Sequence, residues 1–436
     1  MKMAFALALA ATSPLFGPVA LAAQPFEAAP VTATAFERRA AQLVDVLVGK
    51  MAFADYFDPR FQAALPEAQF EAISAGFRAQ YGAPLAIEKA TSSDGRMGTV
   101  LLRFEKGVGV FLLEVGADND ERVTGLRLTG FQTAGDDFAK VAADLAALPG
   151  KSGFLVAELD GSRVVALASA HPDHQFAVGS TFKLYVLDEL AAQVGAGQRR
   201  WADVVPLSHL SFSSMATANW PKNTPVTLQT LANWMISVSD NGAADTLIHL
   251  LGRERVEARM RAAGHADPSR NMPFLTTVEA FALKGNNFAA ERSAFTHADD
   301  DAQRRLIDGN ADRLVLANVD GVSFTAGPRF IDSLEWFASP NDVARLMVDL
   351  RARKSDETLA AMAINSGVGP VAAEAWSYLG YKGGSENGVI SMSLIGKRRI
   401  DGKWYVVTAS WNDADANVDT NKFVGLVTRL LALAAR

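Results

Sequence analysis

The chain has 436 residues, of which 49% are apolar and 21% charged, as is typical of globular proteins with at least one large core. Its 42 basic and 48 acidic residues give a net charge of -6 without a long run of one sign. This charge pattern excludes the basic footprint of a nucleic-acid-binding protein and leaves small molecules as the expected partners. The absence of cysteine excludes disulfides, thiolate metal sites and a cysteine nucleophile.

The N-terminus predicts export. A basic residue precedes an apolar stretch that is interrupted by Pro14 and Pro18 and ends in small residues, with an A-x-A-like site at 20–22. The two prolines and the short basic flank favour a cleavable signal peptide over residues 1–23 rather than a membrane anchor. No later stretch is long and apolar enough to span a bilayer, so we expect a periplasmic or secreted protein without stable membrane insertion.

A small α+β domain is predicted next, over residues 31–135. Apolar residues recur at helical spacing over 36–61 and again over 65–81, which predicts two helices, and the second pattern stops at Gly82. Short runs rich in β-branched and aromatic residues then alternate with Ser, Asp and Gly turn signals, as in an antiparallel meander. Helices would cover one face of this sheet. The element order resembles the cone-shaped domains of the nuclear-transport-factor (NTF2) or cystatin-like group.

The remaining sequence predicts a larger α+β domain over residues 150–436. A hairpin turn is expected at Asp160-Gly161, between two strand-like runs. A long, mostly helical middle follows, and the chain ends with a strand-like run at 403–413 and a helical pattern at 424–435. Strands at both ends with helices between them indicate a sheet assembled from the two extremities of the domain and flanked by helices.

Ser180 and Lys183 form the first candidate catalytic pair, at the start of an amphipathic helical pattern. On a helix this spacing puts the hydroxyl and the ammonium on one face, one turn apart. A serine hydroxyl becomes a good nucleophile when a neighbouring base takes its proton, and a desolvated lysine can be that base. By itself the pair has a purely structural interpretation, in which Ser180 caps the helix and Lys183 is solvated.

Two further motifs follow in order. Ser239, Asp240 and Asn241 lie between two helical patterns about sixty residues after the first pair, and a K-G-G-S run at 382–385 stands in a strand-like segment. The ordered set S-x-x-K, S-D-N and K-[T/G]-G resembles that of class A β-lactamases and penicillin-binding proteins, the penicillin-recognising serine hydrolases. The resemblance covers about residues 150–436, and it implies a β-lactamase-like α/β sandwich with an antiparallel sheet flanked by helices.

The resemblance implies a role for each residue of the first two motifs. Ser180 would attack the acyl carbonyl, and Lys183 would accept its proton. Ser239 would relay a proton toward the leaving nitrogen or oxygen. Asn241 would orient both the substrate amide and Lys183, whereas Asp240 is expected to hold the loop.

The third motif would bind the substrate and the developing negative charge. Lys382 and Ser385 would hold a substrate carboxylate, and the main-chain N–H groups of Ser180 and Ser385 would form the oxyanion hole. Gly384 would let the acyl group lie close to the backbone. Gly383 stands where threonine is commoner, and the lost hydroxyl would weaken carboxylate binding.

The base for deacylation is the weakest part of the resemblance. The E-x-x-L-N sequence of the class A deacylation loop is not found, and Glu279 is the nearest candidate. Thr276 and Glu279 also have the spacing of a capping box, and this structural interpretation is favoured. Loss of the base would slow deacylation about 100-fold to 10,000-fold, so weak β-lactam turnover is expected and esters or a transfer reaction would suit the site better.

The sequence therefore predicts a serine hydrolase that acts through a Ser180 acyl-enzyme on β-lactam, ester, amide or peptidoglycan-like substrates. A small domain before a β-lactamase-like domain also resembles the two-domain serine hydrolases of clavulanic-acid biosynthesis. The six histidines lack metal-ligand spacing, and neither a metal nor another cofactor is expected. The alternative is a non-catalytic envelope protein that binds peptidoglycan fragments or a protein partner through residues 31–135.

Overall fold

The computed structural model describes residues 33–118 and 120–436, and the signal peptide predicted over residues 1–23 lies outside this part of the chain. Two larger antiparallel sheets organise the described residues, one of four strands and one of five, and two short ribbons of two strands accompany them. Helices flank the sheets, as expected for the α+β class that the sequence predicts.

Short helices precede the four-stranded sheet. The elements are α1 (Ala35–Ala41), α2 (Leu43–Leu47), α3 (Phe53–Tyr56), α4 (Pro59–Ala64), α5 (Glu67–Tyr81), β1 (Pro84–Ser92), β2 (Met97–Phe104), β3 (Gly107–Val115) and β4 (Val123–Thr133). The strands pair in sequence order, as the meander prediction requires. Phe36 and Leu43 pack with Val100, Leu102 and Phe111, so the core of this region lies between the first helices and one face of the sheet.

The number of helices in this region differs from the prediction. Two were expected, whereas five are present, because the first helical pattern divides into four short helices. Gly49 follows α2 with a φ of 73°, a conformation that ends helices readily. Pro59 then opens α4, and the side chain of Asp58 caps that helix. These residues interrupt the helix even though the spacing of apolar residues continues through them.

The five-stranded sheet lies at the centre of the second region. The remaining elements are α6 (Phe138–Ala146), β5 (Lys151–Asp160), β6 (Arg163–Ala170), β7 (Phe176–Ala177), α7 (Lys183–Gly195), β8 (Val204–Pro206), β9 (Pro225–Thr227), α8 (Leu228–Ser237), α9 (Asn241–Leu251), α10 (Arg253–Ala262), α11 (Thr277–Lys284), α12 (Ala289–Thr296), α13 (Asp300–Gly309), β10 (Phe337–Ala338), α14 (Pro340–Ala352), α15 (Asp356–Ala363), α16 (Pro370–Ala373), β11 (Trp376–Glu386), β12 (Val389–Arg398), β13 (Trp404–Asn412) and α17 (Thr420–Ala434). The strand order β11-β12-β13-β5-β6 joins the beginning of this region to its end, as predicted. The β5–β6 hairpin at Asp160-Gly161 is also confirmed.

Helices cover both faces of this sheet. On one face, Leu145 of α6 and Val427 and Leu430 of α17 pack against the sheet. On the other face, a larger core contains Leu184 and Leu187 of α7 together with residues of α8 to α11 and α14. The edge strand β11 borders this helical region and presents its backbone to it. None of the helices in the described part of the chain combines the length and the apolar character needed to cross a bilayer.

Candidate active site

Ser180 lies in a 3-10 turn, Gly179–Phe182, that leads directly into α7. Gly179 has a φ of 48°, and a Cβ built there would lie 3.0 Å from the backbone nitrogen of Ser385, so the turn needs a glycine at this position. The turn delivers Ser180 to the start of the helix, and Lys183 follows on its first turn. Lys183 Nζ lies 3.1 Å from Ser180 Oγ, so the structure brings the first predicted pair into hydrogen-bond contact.

Lys183 is completely buried, and its amine is surrounded by oxygens of the S-D-N segment. Nζ donates to the backbone carbonyl of Ser239 at 2.6 Å and to Asn241 Oδ1 at 2.6 Å, and it lies 3.2 Å from Ser239 Oγ. Burial lowers the pKa of Lys183 to about 7, although the more distant Asp245 and Asp240 oppose this shift. A neutral amine has two hydrogens for the two acceptors and one lone pair left for a hydroxyl proton.

Ser239 connects the two lysines of the site. Its hydroxyl accepts a 2.9 Å hydrogen bond from Lys382 Nζ and also faces Lys183 Nζ. Ser239 has a φ of 58°, which is uncommon for a residue with a side chain and often marks functional sites. Asp240 supports this conformation, since it caps α9 and accepts hydrogen bonds from both the backbone N–H and the hydroxyl of Thr217 in the facing loop.

The K-G-G-S run lies at the end of β11, beside the Ser180 turn. Lys382 is buried, and its Nζ also donates to the carbonyl of Gly383. Burial, and then the charge of the nearby Lys183 when it is protonated, hold the pKa of Lys382 well below its ordinary value. A Cβ on Gly384 would overlap the carbonyl oxygen of Val178 and lie 2.5 Å from the Ser180 nitrogen, so only glycine permits this close approach of the two backbones.

A cavity of about 360 Å³ opens over these residues. Six of the predicted site residues line it: Ser180, Ser239, Asn241, Lys382, Gly384 and Ser385. Lys183 lies beneath the floor and reaches the cavity through its contact with Ser180. Trp336 forms one wall and stacks on Phe182 with ring centroids 4.0 Å apart, which holds the wall against the turn that carries Ser180.

Glu279 is the predicted site residue that the structure does not bring to this cavity. It forms a capping box with Thr276 at the start of α11. Its two carboxylate oxygens also accept hydrogen bonds from Arg253, at 2.6 and 3.0 Å. Glu279 is absent from the cavity lining, so the geometry fits the capping interpretation.

Two carboxyl groups that the sequence analysis missed line the cavity instead. Glu335 and Glu386 both bond to the buried Lys284 Nζ, Glu386 Oε1 at 2.6 Å. Burial raises the pKa of Glu386 to about 8, and the neighbouring Glu335 adds to this shift while Lys284 opposes it. The three residues come from separate segments without a motif. The one available signal was the alternation of β11, which puts Glu386 on the same side as Lys382 and Gly384.

The structure shows no cluster of three or more metal-ligating side chains within residues 33–118 and 120–436. The site therefore consists of hydroxyl, amine and amide groups, with the carboxyl pair at one end of the cavity.

Comparisons with known proteins place this site in a family context. The family model described as the beta-lactamase enzyme family matches residues 137–365. Similar solved structures include a β-lactamase from Sphaerobacter thermophilus, with 20% identity over 69% of this chain and 97% of that chain, at a TM-score of 0.46. They also include a variant of PBP-A as an acyl-enzyme complex with penicillin G, with 15% identity over 68% of this chain and 94% of that chain, at a TM-score of 0.46.

None of the curated proteins matches this sequence. The family match nevertheless spans more than half of the chain and includes both the Ser180 turn and the S-D-N segment. This chain is a member of the beta-lactamase enzyme family.

Proposed function

We propose that this chain is a serine hydrolase that forms an acyl-enzyme at Ser180 with β-lactams, esters or related amides. The observation that carries the proposal is the contact between Ser180 Oγ and the amine of Lys183, which is buried among neutral oxygens. Such an amine has a pKa near neutrality and is able to accept the hydroxyl proton.

In acylation, Ser180 Oγ attacks the carbonyl carbon while its proton moves to Lys183 Nζ. The main-chain N–H groups of Ser180 and Ser385 stabilise the negative charge on the carbonyl oxygen, and each such donor typically contributes about 3 kcal/mol. The close approach at Gly384 supports this role, because it brings the backbone of β11 next to the backbone of the turn that carries Ser180. Ser239 lies between the amines of Lys183 and Lys382, so its hydroxyl can pass a proton to the leaving nitrogen or oxygen.

Substrate binding would rest on the third motif. Lys382 and Ser385 hold a carboxylate of the substrate, and Asn241 orients the substrate amide while it accepts a hydrogen bond from Lys183. Because Glu279 is held by Arg253 and its own helix cap, we propose that the acyl-enzyme is hydrolysed slowly and that β-lactam turnover is weak.

The organisation of the chain is proposed on the same basis. Residues 31–135 would form a domain of the nuclear-transport-factor or cystatin-like group, and residues 150–436 would form the β-lactamase-like domain. This two-domain plan supports the likeness to the serine hydrolases of clavulanic-acid biosynthesis. The predicted signal peptide supports export to the periplasm or the medium.

A fluorescent penicillin and intact-protein mass spectrometry test the proposal. The wild type should gain one covalent adduct, which maps to Ser180 and is absent from Ser180→Ala. Ser237→Ala is a matched control, because Ser237 also lines the cavity but its hydroxyl bonds to the Asn233 carbonyl within α8. An unlabelled wild type would contradict the proposal and favour the non-catalytic envelope protein. An adduct that persists in Ser180→Ala would show that another residue is the nucleophile.

A further inference from the structure

Gly383 departs from the threonine that is commoner in the third motif, and the structure shows what occupies the vacant space. A Cβ built on Gly383 would overlap the hydroxyl oxygen of Tyr381 and lie 2.7 Å from its Cζ atom. Residues 381 and 383 lie on the same side of β11, because side chains alternate along a strand. The phenol of Tyr381 therefore leans over Gly383 and fills the position of a side chain at 383.

A second glycine completes the slot that holds the Tyr381 ring. A Cβ built on Gly367 would lie 2.6 Å from three atoms of this ring, and Gly367 itself has a φ of 65°. Glycines on both sides of the ring leave room for this one orientation of the phenol. A flexible surface tyrosine would not require a glycine at either position.

The hydroxyl of Tyr381 is presented to the cavity without a partner. Tyr381 lines the same cavity as Ser180, and its Oη makes no hydrogen bond to any residue that the structure describes. It is also reached by solvent, unlike the sealed Oη of Tyr185. Burial of the ring raises the pKa of Tyr381 to about 12, so the hydroxyl remains a donor at neutral pH. A rigid, free donor in a substrate cavity is well suited to an anionic ligand.

We propose that the Tyr381 hydroxyl binds the carboxylate of the substrate, in the place that a threonine hydroxyl at position 383 would occupy. The inference rests on the proposed acyl-enzyme function of the same cavity. Ser385 lies on the same side of β11 as Tyr381, and Lys382 lines the same cavity from the other side of the strand. The two hydroxyls and the Lys382 amine would then bind one carboxylate within this cavity. The site therefore keeps a hydroxyl for the carboxylate although residue 383 is a glycine, because Tyr381 supplies it.

The first test compares acylation rates for a fluorescent penicillin and for its carboxylate methyl ester. Tyr381→Phe keeps the ring and removes only the hydroxyl. It should lower the second-order acylation rate for the free acid roughly 10-fold to 100-fold, as expected for loss of a hydrogen bond to a charged group. The rate for the methyl ester should change less than about 2-fold, since no charge is lost there. Tyr378→Phe is the matched control on the same strand, because its hydroxyl is already bonded to the Leu359 carbonyl at 2.9 Å.

The second test uses the overlap between the Tyr381 hydroxyl and the space that a side chain at position 383 would occupy. A Tyr381→Ala variant should lose the preference for the free acid, and adding Gly383→Thr to it should restore part of this preference. Equal losses for acid and ester in Tyr381→Phe, or no loss for either, would overturn the inference while Ser180 still labels. A wild type that neither substrate labels would instead overturn the proposed function, so the two failures are distinguishable.

Discussion

Three lysines are almost fully buried next to this one cavity, and they fall into two regions with opposite electrostatics. Lys183 and Lys382 lie under the Ser180 end, where their amines contact hydroxyl, carbonyl and amide oxygens. Lys284 lies under the other end, between the carboxylates of Glu335 and Glu386. The pKa of Lys183 and of Lys382 is lowered, whereas the pKa of Lys284 is raised.

The comparison separates the effect of burial on a lysine pKa from the effect of nearby charged groups. Desolvation disfavours the charged form of all three lysines, and only Lys284 has anions close enough to reverse its effect. Within the described residues, neither Lys183 nor Lys382 has a carboxylate oxygen within salt-bridge distance. Burial without a counterion favours the neutral amine of Lys183, whereas burial beside two carboxyl groups favours the charged form of Lys284.

The largest expected effect concerns the base. Lys183→Met should lower the rate of Ser180 acylation about 100-fold to 10,000-fold, because the hydroxyl proton then has no acceptor. Labelling with a fluorescent penicillin over time measures this rate, and Ser237→Ala should retain the wild-type rate. An acylation rate within a few-fold of the wild type would show that Lys183 is not the base.

A complementary change at the other end should affect stability instead. Lys284→Met leaves the buried carboxyl pair of Glu335 and Glu386 without its cation and should lower the free energy of unfolding by about 3–5 kcal/mol. Lys183→Met is the matched control, and it should cost less, since only uncharged acceptors lose a hydrogen bond and no buried charge loses its partner. Urea denaturation followed by circular dichroism measures both, and equal costs would break the distinction between the two regions.

The pH dependence of acylation sharpens the comparison. With a pKa of about 7, Lys183 is neutral above this pH and protonated below it. The acylation rate should therefore be nearly constant above pH 7 and fall about tenfold for each pH unit below it. Single-turnover labelling from pH 5 to pH 9 measures this profile. A rate that still rises about tenfold per pH unit between pH 8 and pH 9 would indicate a lysine with an ordinary pKa.

The last prediction concerns Glu386, the second carboxyl group beside Lys284, and its contribution to the pH dependence of stability. The pKa of Glu386 is raised from 4.5 to about 8, so the folded chain keeps a proton that the unfolded chain has already released between these values. This group should make the protein less stable as pH rises from 4.5 to 8, because the proton that favours the folded chain is progressively lost. Glu386→Gln should remove this slope while the Lys284–Glu335 pair remains, and an unchanged slope would show that Glu386 is ionised throughout.

Local sequence patterns and the family resemblance predicted much of the fold and six of the residues that line the cavity. The spacing of Ser180 and Lys183, the S-D-N segment and the K-G-G-S strand led to residues that the structure puts side by side. The hairpin at Asp160-Gly161 followed from turn chemistry. Glu279 shows the limit of the same method, since a local capping pattern and a catalytic carboxylate look alike until Arg253 is seen beside it.

Local patterns were enough to predict the order of the main strands and the pairing of Ser180 with Lys183, because both depend on residues close together in the chain. Tertiary structure alone decided which buried lysine meets carboxylates, and it alone put the Tyr381 hydroxyl over Gly383. Desolvation and the charge of nearby groups arise from contacts between segments far apart in sequence. No local periodicity encodes such contacts, although they decide the protonation state of the groups that would carry the chemistry.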